Sequence, residues 1–342
     1  MDSVTQAALG AAVAVAVTGQ RTGIKKAALW GSVVGTLPDL DVFIHYGDDL
    51  NNMLQHRGET HAIFYQTLVA PVIAWLICRW HHHMSQFKHW WLAVWLVLVT
   101  HSLLDTFTTY GTQLLLPFSN YPFALESIFV IDPLYTLPLL IGVVYACRNP
   151  ATGLKANKIG LWLSSGYLLW SLVAQQWVTA LVTQQLAQST ASPDRLLVQP
   201  TALNTLVWRV VMVDAQGYQE GFYALSDGSN DITFRQHMFP QQAEQLRHLP
   251  DAERLTRFSH GFTGYFERGA LLTMADLRMG MQGNYAFEFT LACYQEGAIE
   301  KVPLEQTRKP YQMLEMWLWA ARRFLQQDTP LAEVELRSKH PC

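Results

Sequence analysis

From Val4 to Val182 the chain runs through apolar stretches separated by short polar breaks. From about Ser189 onward charged residues are frequent and no apolar run is long enough to cross a bilayer. A crossing takes about 20 apolar residues. Ile63 to Cys78, Trp90 to Leu104, Ile131 to Ala146 and Ile159 to Val182 are at or near that length. Val4 to Val17 and Ala27 to Leu37 are shorter and read as tilted, re-entrant or bundle-packed helices. The pattern predicts an α-helical membrane bundle of about six helices over residues 1–185. The Gly and Ala content of the first segment suits close helix contact.

A linker is expected over 186–194, around Ser189 to Pro193, and residues 195–342 read as a smaller α+β extramembrane domain, expected to be soluble alone. Strand-like stretches are Thr205 to Val213, Gly221 to Ser226, Ile232 to Phe234, Ala270 to Leu277 and Ala286 to Cys293. Gly217, Asp227-Gly228 and Gly297 are turn signals. Asp251 to Phe258 and Tyr311 to Gln326 read as helices. In the second, Leu314, Trp317, Leu318, Ala321 and Leu325 share one stripe, which should pack on a sheet.

Composition changes this picture little. The net charge of −3 carries no basic signature for nucleic acid. The cysteines at 78, 147, 293 and 342 form no C-x-x-C pair, which argues against cysteine zinc sites. The start, Met1-Asp2-Ser3, lacks the basic region of a signal peptide. The distribution of charge says more. Arg21, Lys25, Lys26, Arg79, Lys88, Arg148, Lys155 and Lys158 fall in alternate breaks, and the opposite breaks hold only Arg57. Positive loops mark the cytoplasmic side, so the C-terminal domain is expected on the outer, periplasmic side of a bacterial inner membrane.

The ligand-type side chains gather on that outer side. Asp39 and Asp41 follow the second apolar segment. His56, Arg57, Glu59 and His61 precede the third, His101 and Asp105 lie near the end of the fourth, and Asp132 opens the fifth. At 1.5 Å of rise per residue, Asp39 and His101 stand ~20 Å above the basic anchors Lys26 and Lys88. Asp105 lies one turn beyond His101 on the same face. Ionisable groups at such depth are costly unless paired or hydrated, and carboxylate with imidazole is a ligand set for zinc, manganese or iron. Taken singly, each of these residues is as well read as a cap, a salt bridge or a solvated loop group. Arg57 suits phosphate or carboxylate recognition, and Glu59 suits a general base. His45 is a spare ligand of structural character. His81, His82 and His83 lie in a basic loop on the other side and read as solvated.

At these positions the chain resembles the YdjM-like family of bacterial inner-membrane, metal-dependent hydrolases. The resemblance rests on Met1-Asp-Ser-Val-Thr-Gln-Ala-Ala-Leu-Gly10, Gly35-Thr-Leu-Pro-Asp-Leu-Asp41, His56-Arg-Gly-Glu-Thr-His61 and His101-Ser-Leu-Leu-Asp105, through about Asp132. Asn204-Thr-Leu-Val-Trp-Arg209 is similar to the appended domain of longer members. The resemblance implies Asp39, Asp41, His56, His61, His101 and Asp105 as metal-site candidates. Many members carry His where this chain has Gln6, so the site has one ligand fewer or uses the amide oxygen.

The expected function is a membrane-bound metal-dependent hydrolase with zinc or manganese as cofactor. A metal-activated water would attack an ester, phosphoester or amide bond of a lipid-linked or phosphate-containing substrate among membrane lipids. Glu59 and Arg57 are the catalytic candidates. The rivals are a transporter or ion-binding protein whose pathway these groups line, and a scaffold with a structural polar cluster.

Overall fold

The computed structural model describes residues 1–188, 193–228, 231–281, 284–295, 298–307 and 313–325. A helical N-terminal region is followed by a β-sheet domain. Two compact units result: Met1–Ile44 with His56–Val173, and His45–Gln55 with Ala174–Cys342.

In the first unit α1 (Ser3–Thr22) starts at Asp2, whose carboxylate accepts the Val4 and Thr5 N–H groups that the first turn leaves unpaired. It ends at Gly23, whose φ of 92° suits glycine alone. α2 (Ile24–Thr36) then packs on α1 through glycines. A Cβ on Gly10 would lie 2.3 Å from the Gly31 carbonyl oxygen and 3.0 Å from Gly35 Cα. The second unit's α3 (Asp49–Gln55) precedes α4 (Ile63–Trp80), α5 (Phe87–Thr106) and α6 (Pro133–Arg148). Asp132 caps α6 through the Leu134 N–H, and Pro133 at the first position loses no hydrogen bond there. One core joins Val34, Ala70, Ala74, Ile77, Trp90, Val94 and Val97. A second joins Ala8, Ala12, Leu104, Ile128, Tyr135 and Leu139.

Of the about six membrane helices expected, two of them short, two stretches among the described residues, Ile63–Trp80 and Met84–Thr106, are long and apolar enough for a crossing. Pro133–Arg148 is apolar but shorter. α7 (Gly153–Ala187) is a single helix of 35 residues, and the unit boundary falls within it. It runs into the stretch expected as linker, of which residues 189–192 lie outside the described residues.

In the second unit β1 (Arg195–Pro200), β2 (Val207–Val213), β3 (Gly217–Ala224) and β4 (Phe234–Met238) form an antiparallel meander. After α8 (Ala243–Arg247) and α9 (Pro250–Phe258) come β5 (Thr263–Arg268), β6 (Leu271–Asp276), the short hairpin β7 (Gly280–Met281) and β8 (Asn284–Tyr285), β9 (Glu288–Gln295) and β10 (Ala298–Gln306). The second sheet has the order β10-β9-β6-β5. Strands β1, β5 and β10 were not expected, because neither their periodicity nor their flanks separate them from loops. The sheets share a core of Leu197, Val211 and Tyr218 with Phe262, Leu277 and Tyr285. Ala174, Val178 and Val182, one stripe of α7, cover Val198, Trp208, Val210 and Tyr223. Cys293 is disulfide-bonded.

α10 (Met313–Phe324) buries a different face from the one expected. Met316 and Ala320 are buried, Ala320 against Val207 and Ala224, and Trp319 meets Phe222 edge-on at 4.8 Å. Leu314, Trp317, Leu318 and Leu325 are exposed. Glu315, Arg322 and Arg323 mark one polar sector; the apolar arc left is wide enough for two stripes, and small Ala320 permits the closer approach to the sheet. Tyr311 and Gln326 lie outside the described residues, as do Gly297, His340 and Cys342.

Candidate metal centre

Four side chains from three segments converge. Asp39 stands on a 3-10 turn, Pro38–Phe43, that Pro38 opens directly after α2. His61 closes a second 3-10 turn, Glu59–His61, just before α4. His101 and Asp105 lie four residues apart on α5, one above the other on the same face. One ligand atom from each lies within 4.8 Å of the others. His61 Nε2 is 3.1 Å from His101 Nε2 and 3.2 Å from Asp105 Oδ2. Asp39 Oδ1 is 3.5 Å from both imidazole Nε2 atoms, and His101 Nε2 is 3.5 Å from Asp105 Oδ2. Tetrahedral coordination with bonds of ~2.1 Å gives ligand–ligand edges of ~3.4 Å. The four atoms therefore have the spacing of a first coordination shell.

The outer nitrogens show which tautomers are present. His101 Nδ1 lies 2.7 Å from the Gly35 carbonyl oxygen, which can only accept, so Nδ1 carries the proton. The Thr60 hydroxyl donates to Asp41 Oδ2 at 2.9 Å, so at 2.8 Å its oxygen accepts from His61 Nδ1. In the neutral rings both Nε2 atoms then present lone pairs to each other and to two carboxylates. Such outer partners are what fix imidazole ligands around a metal. Asp105 Oδ2 is buried with the His61, His101 and Arg57 nitrogens at 3.2–3.5 Å but no well-aligned hydrogen bond, and Gln6 Oε1 is buried without a partner. A divalent cation fits this donor set and satisfies the facing lone pairs.

Burial raises the carboxyls of Asp39 and Asp41. The imidazoles of His101 and His61 beside Asp39, and of His56 beside Asp41, outweigh that, and both carboxyls sit below the ordinary range. Access is one-sided. The Asp39 side chain is 17% exposed, whereas His61, His101 and Asp105 are closed off from solvent.

The remaining candidates surround this group. Asp41 and His56 contribute no atom to it. They pair with each other at 2.6 Å, and Asp41 Oδ2 also accepts the Arg57 backbone N–H at 2.9 Å. Asp39 and Asp41 are two residues apart on a 3-10 turn, which aims them at different neighbours. Arg57 is buried with φ 62°, a strained backbone for arginine. Its Nη1 donates to Thr108 at 3.0 Å, its Nε lies 3.5 Å from Asp105 Oδ2, and its guanidinium stacks over Tyr110. Glu59 is exposed at the lip of a cleft with Pro38, Thr60 and Gln66. Gln6 Nε2 donates to Asp105 Oδ1 at 2.9 Å, and the Met1 amino group meets the same oxygen. Here Gln6 holds a ligand through its N–H, and its amide oxygen stays unpaired.

Other histidines and acids stand apart. Asp132 is a helix cap that also accepts from Tyr167, His45 meets Asn52, and His81 accepts from Trp30 Nε1. Thr60, Thr108 and Tyr110 were not anticipated. Thr60 lay within the quoted His56–His61 motif, and only its hydrogen-bond geometry gives it a role.

Residues 1–178 match the family model described as YdjM inner membrane protein. Over 303 residues, 84% of this chain and 89% of the relative, the chain is 24% identical to YfhP of Bacillus subtilis (strain 168). Over 82 residues, 24% of this chain and 46% of the relative, it is 33% identical to the inner membrane protein YbcI of Escherichia coli (strain K12). No solved structure matches.

Proposed function

This chain belongs to the YdjM family of inner membrane proteins, and from that premise we propose that it is a metal-dependent hydrolase working at the outer face of the membrane. One observation carries the reading. Two imidazole Nε2 atoms, each turned inward by its Nδ1 partner, face each other at 3.1 Å between two carboxylates.

Asp39, His61, His101 and Asp105 hold a divalent ion, with zinc and manganese the first candidates from the mixed nitrogen and oxygen donors. When bound, the ion supplies a Lewis acid and eases loss of a proton from water near neutral pH. Thr60 and the Gly35 carbonyl keep His61 and His101 in the coordinating tautomer. Arg57 supplies a fixed positive charge beside Asp105 for an anionic group such as phosphate. Glu59, at the exposed lip, exchanges protons with solvent. The substrate is an ester, phosphoester or amide presented among membrane lipids.

The topology belongs to the same proposal. The basic breaks face the cytoplasm, the helical region crosses several times, and the second unit is periplasmic.

Metal content of purified protein tests the centre, for the parent and for His101→Ala and Asp105→Asn. Stoichiometric zinc, manganese or iron in the parent, absent from both folded variants, is expected. It should accompany hydrolysis of at least one member of a nitrophenyl ester and phosphate panel. A folded parent that holds no transition metal sinks the proposal.

A further inference from the structure

Pro38 and Thr60, the chain neighbours of Asp39 and His61, line a cleft of about 200 Å³. Its lining is mostly apolar, with Val69, Ile73 and Leu98 among it, and Glu59, Thr60 and Gln66 supply its polar groups. Gln66, Val69 and Ile73 lie at i, i+3 and i+7 on α4, so they form one stripe running from the centre down a helix apolar enough to cross a membrane. From Gln66 to Ile73 the stripe descends ~10 Å. Val69 is 48% exposed, which leaves the cleft open along its side rather than only at its mouth.

Gln66 adds an independent sign of a ligand. It is 3% exposed, and its Nε2 donates to the Thr60 carbonyl at 3.0 Å and to Ser102 Oγ at 2.6 Å. The Thr60 carbonyl can only accept, which fixes the orientation of the amide. Its Oε1 is then a buried acceptor with no donor, the kind of group native structures pair.

We propose that this cleft holds the hydrocarbon chain of one lipid molecule, entering sideways from the bilayer, with the polar head at the Asp39–His61–His101–Asp105 centre and a hydroxyl or amide N–H of the lipid on Gln66 Oε1. The head's fate rests on the hydrolase reading; the chain's place rests on the cleft alone. The substrate class is therefore an amphiphile with a hydrogen-bond donor beside its head, not a soluble ester or phosphate.

The test uses full-length protein in phosphatidylcholine vesicles doped with a single-chain glycerol phosphate lipid that has a free hydroxyl and a diazirine in its tail. Adducts are mapped by mass spectrometry. Labelling at Val69, Ile73 and Leu98 should exceed severalfold that at Leu68 and Leu76, which are more exposed than any of the three but lie outside the cleft. Ile73→Trp should abolish the excess while elution volume and metal content stay unchanged. Gln66→Met should remove the parent's preference for this lipid over its O-methyl analogue. Uniform labelling along α4 in metal-loaded protein overturns the chain site and leaves the hydrolase reading standing. Selective labelling in a parent devoid of metal keeps the chain site and sinks the hydrolase reading.

Discussion

Thr60 shows how much of this centre depends on a hydroxyl. It accepts from His61 Nδ1 and donates to Asp41, which in turn holds His56 and the Arg57 backbone. Thr60→Val keeps the shape and removes that relay, so His61 is free to take the wrong tautomer. Metal affinity should fall by about 10–100-fold, read by competition with a chelator, while the fold survives. Unchanged affinity would show that His61 is oriented by packing alone. Arg57→Met should leave metal bound but weaken inhibition by inorganic phosphate severalfold; equal inhibition in both proteins would remove Arg57 from anion recognition. At this scale Asp39, His61, His101 and Asp105 were legible because ligand-type groups stood on the side poor in Lys and Arg. The pairing of Asp41 with His56 was not, since two aspartates two residues apart look equivalent until the turn between them is known.

The helix pair α1–α2 shows what small residues do. Gly10 and Gly31 let the two backbones approach until any added Cβ meets a carbonyl oxygen at 2.3 Å. Within a membrane such contact replaces the hydrophobic effect as the source of helix association. Gly31→Val must push α2 away and with it the turn that carries Asp39. The loss should be about 1–3 kcal/mol or more, seen as a lower midpoint in thermal unfolding in detergent and as lost metal. Gly166 in α7 has open space where a Cβ would go, so Gly166→Ala should be neutral or raise the midpoint. Equal effects at the two positions would refute the packing argument. Helices at this scale were readable where apolar runs are long, as in Ile63–Trp80 and Met84–Thr106, whereas α3 and α8 carry no such run and were not expected. The stripe of α10 was misassigned because an apolar arc wider than one stripe does not reveal which edge its sheet will cover.

For the whole molecule, Ala174–Ala187 of α7 belongs to the same compact unit as the sheets. Ala174, Val178 and Val182 shield Trp208, Val210 and Tyr223, so a chain from Ala174 to Cys342 should be monodisperse more readily than one from Arg195. If residues 195–342 alone behave equally well, that covering is dispensable. The charge asymmetry of the breaks sets a separate expectation: a reporter active only in the periplasm, fused after Cys342, should be on. A cytoplasm-only reporter found active there would change the number of crossings by one.

The sequence by itself determined the two-part organisation, the positions of the long helices and the residue types of the centre. Apolar length, charge placement and ligand chemistry are local properties, and each can be read without knowing the fold. The tertiary structure decided which ligand-type residues meet, which face of α10 is buried, and how Gln6, Thr60 and Gln66 join the site. Those outcomes depend on distances between segments far apart in the chain. Asp39 and Asp105 are separated by 66 residues and by two α-helices and two 3-10 turns, and only the close approach of these segments brings their oxygens around one point.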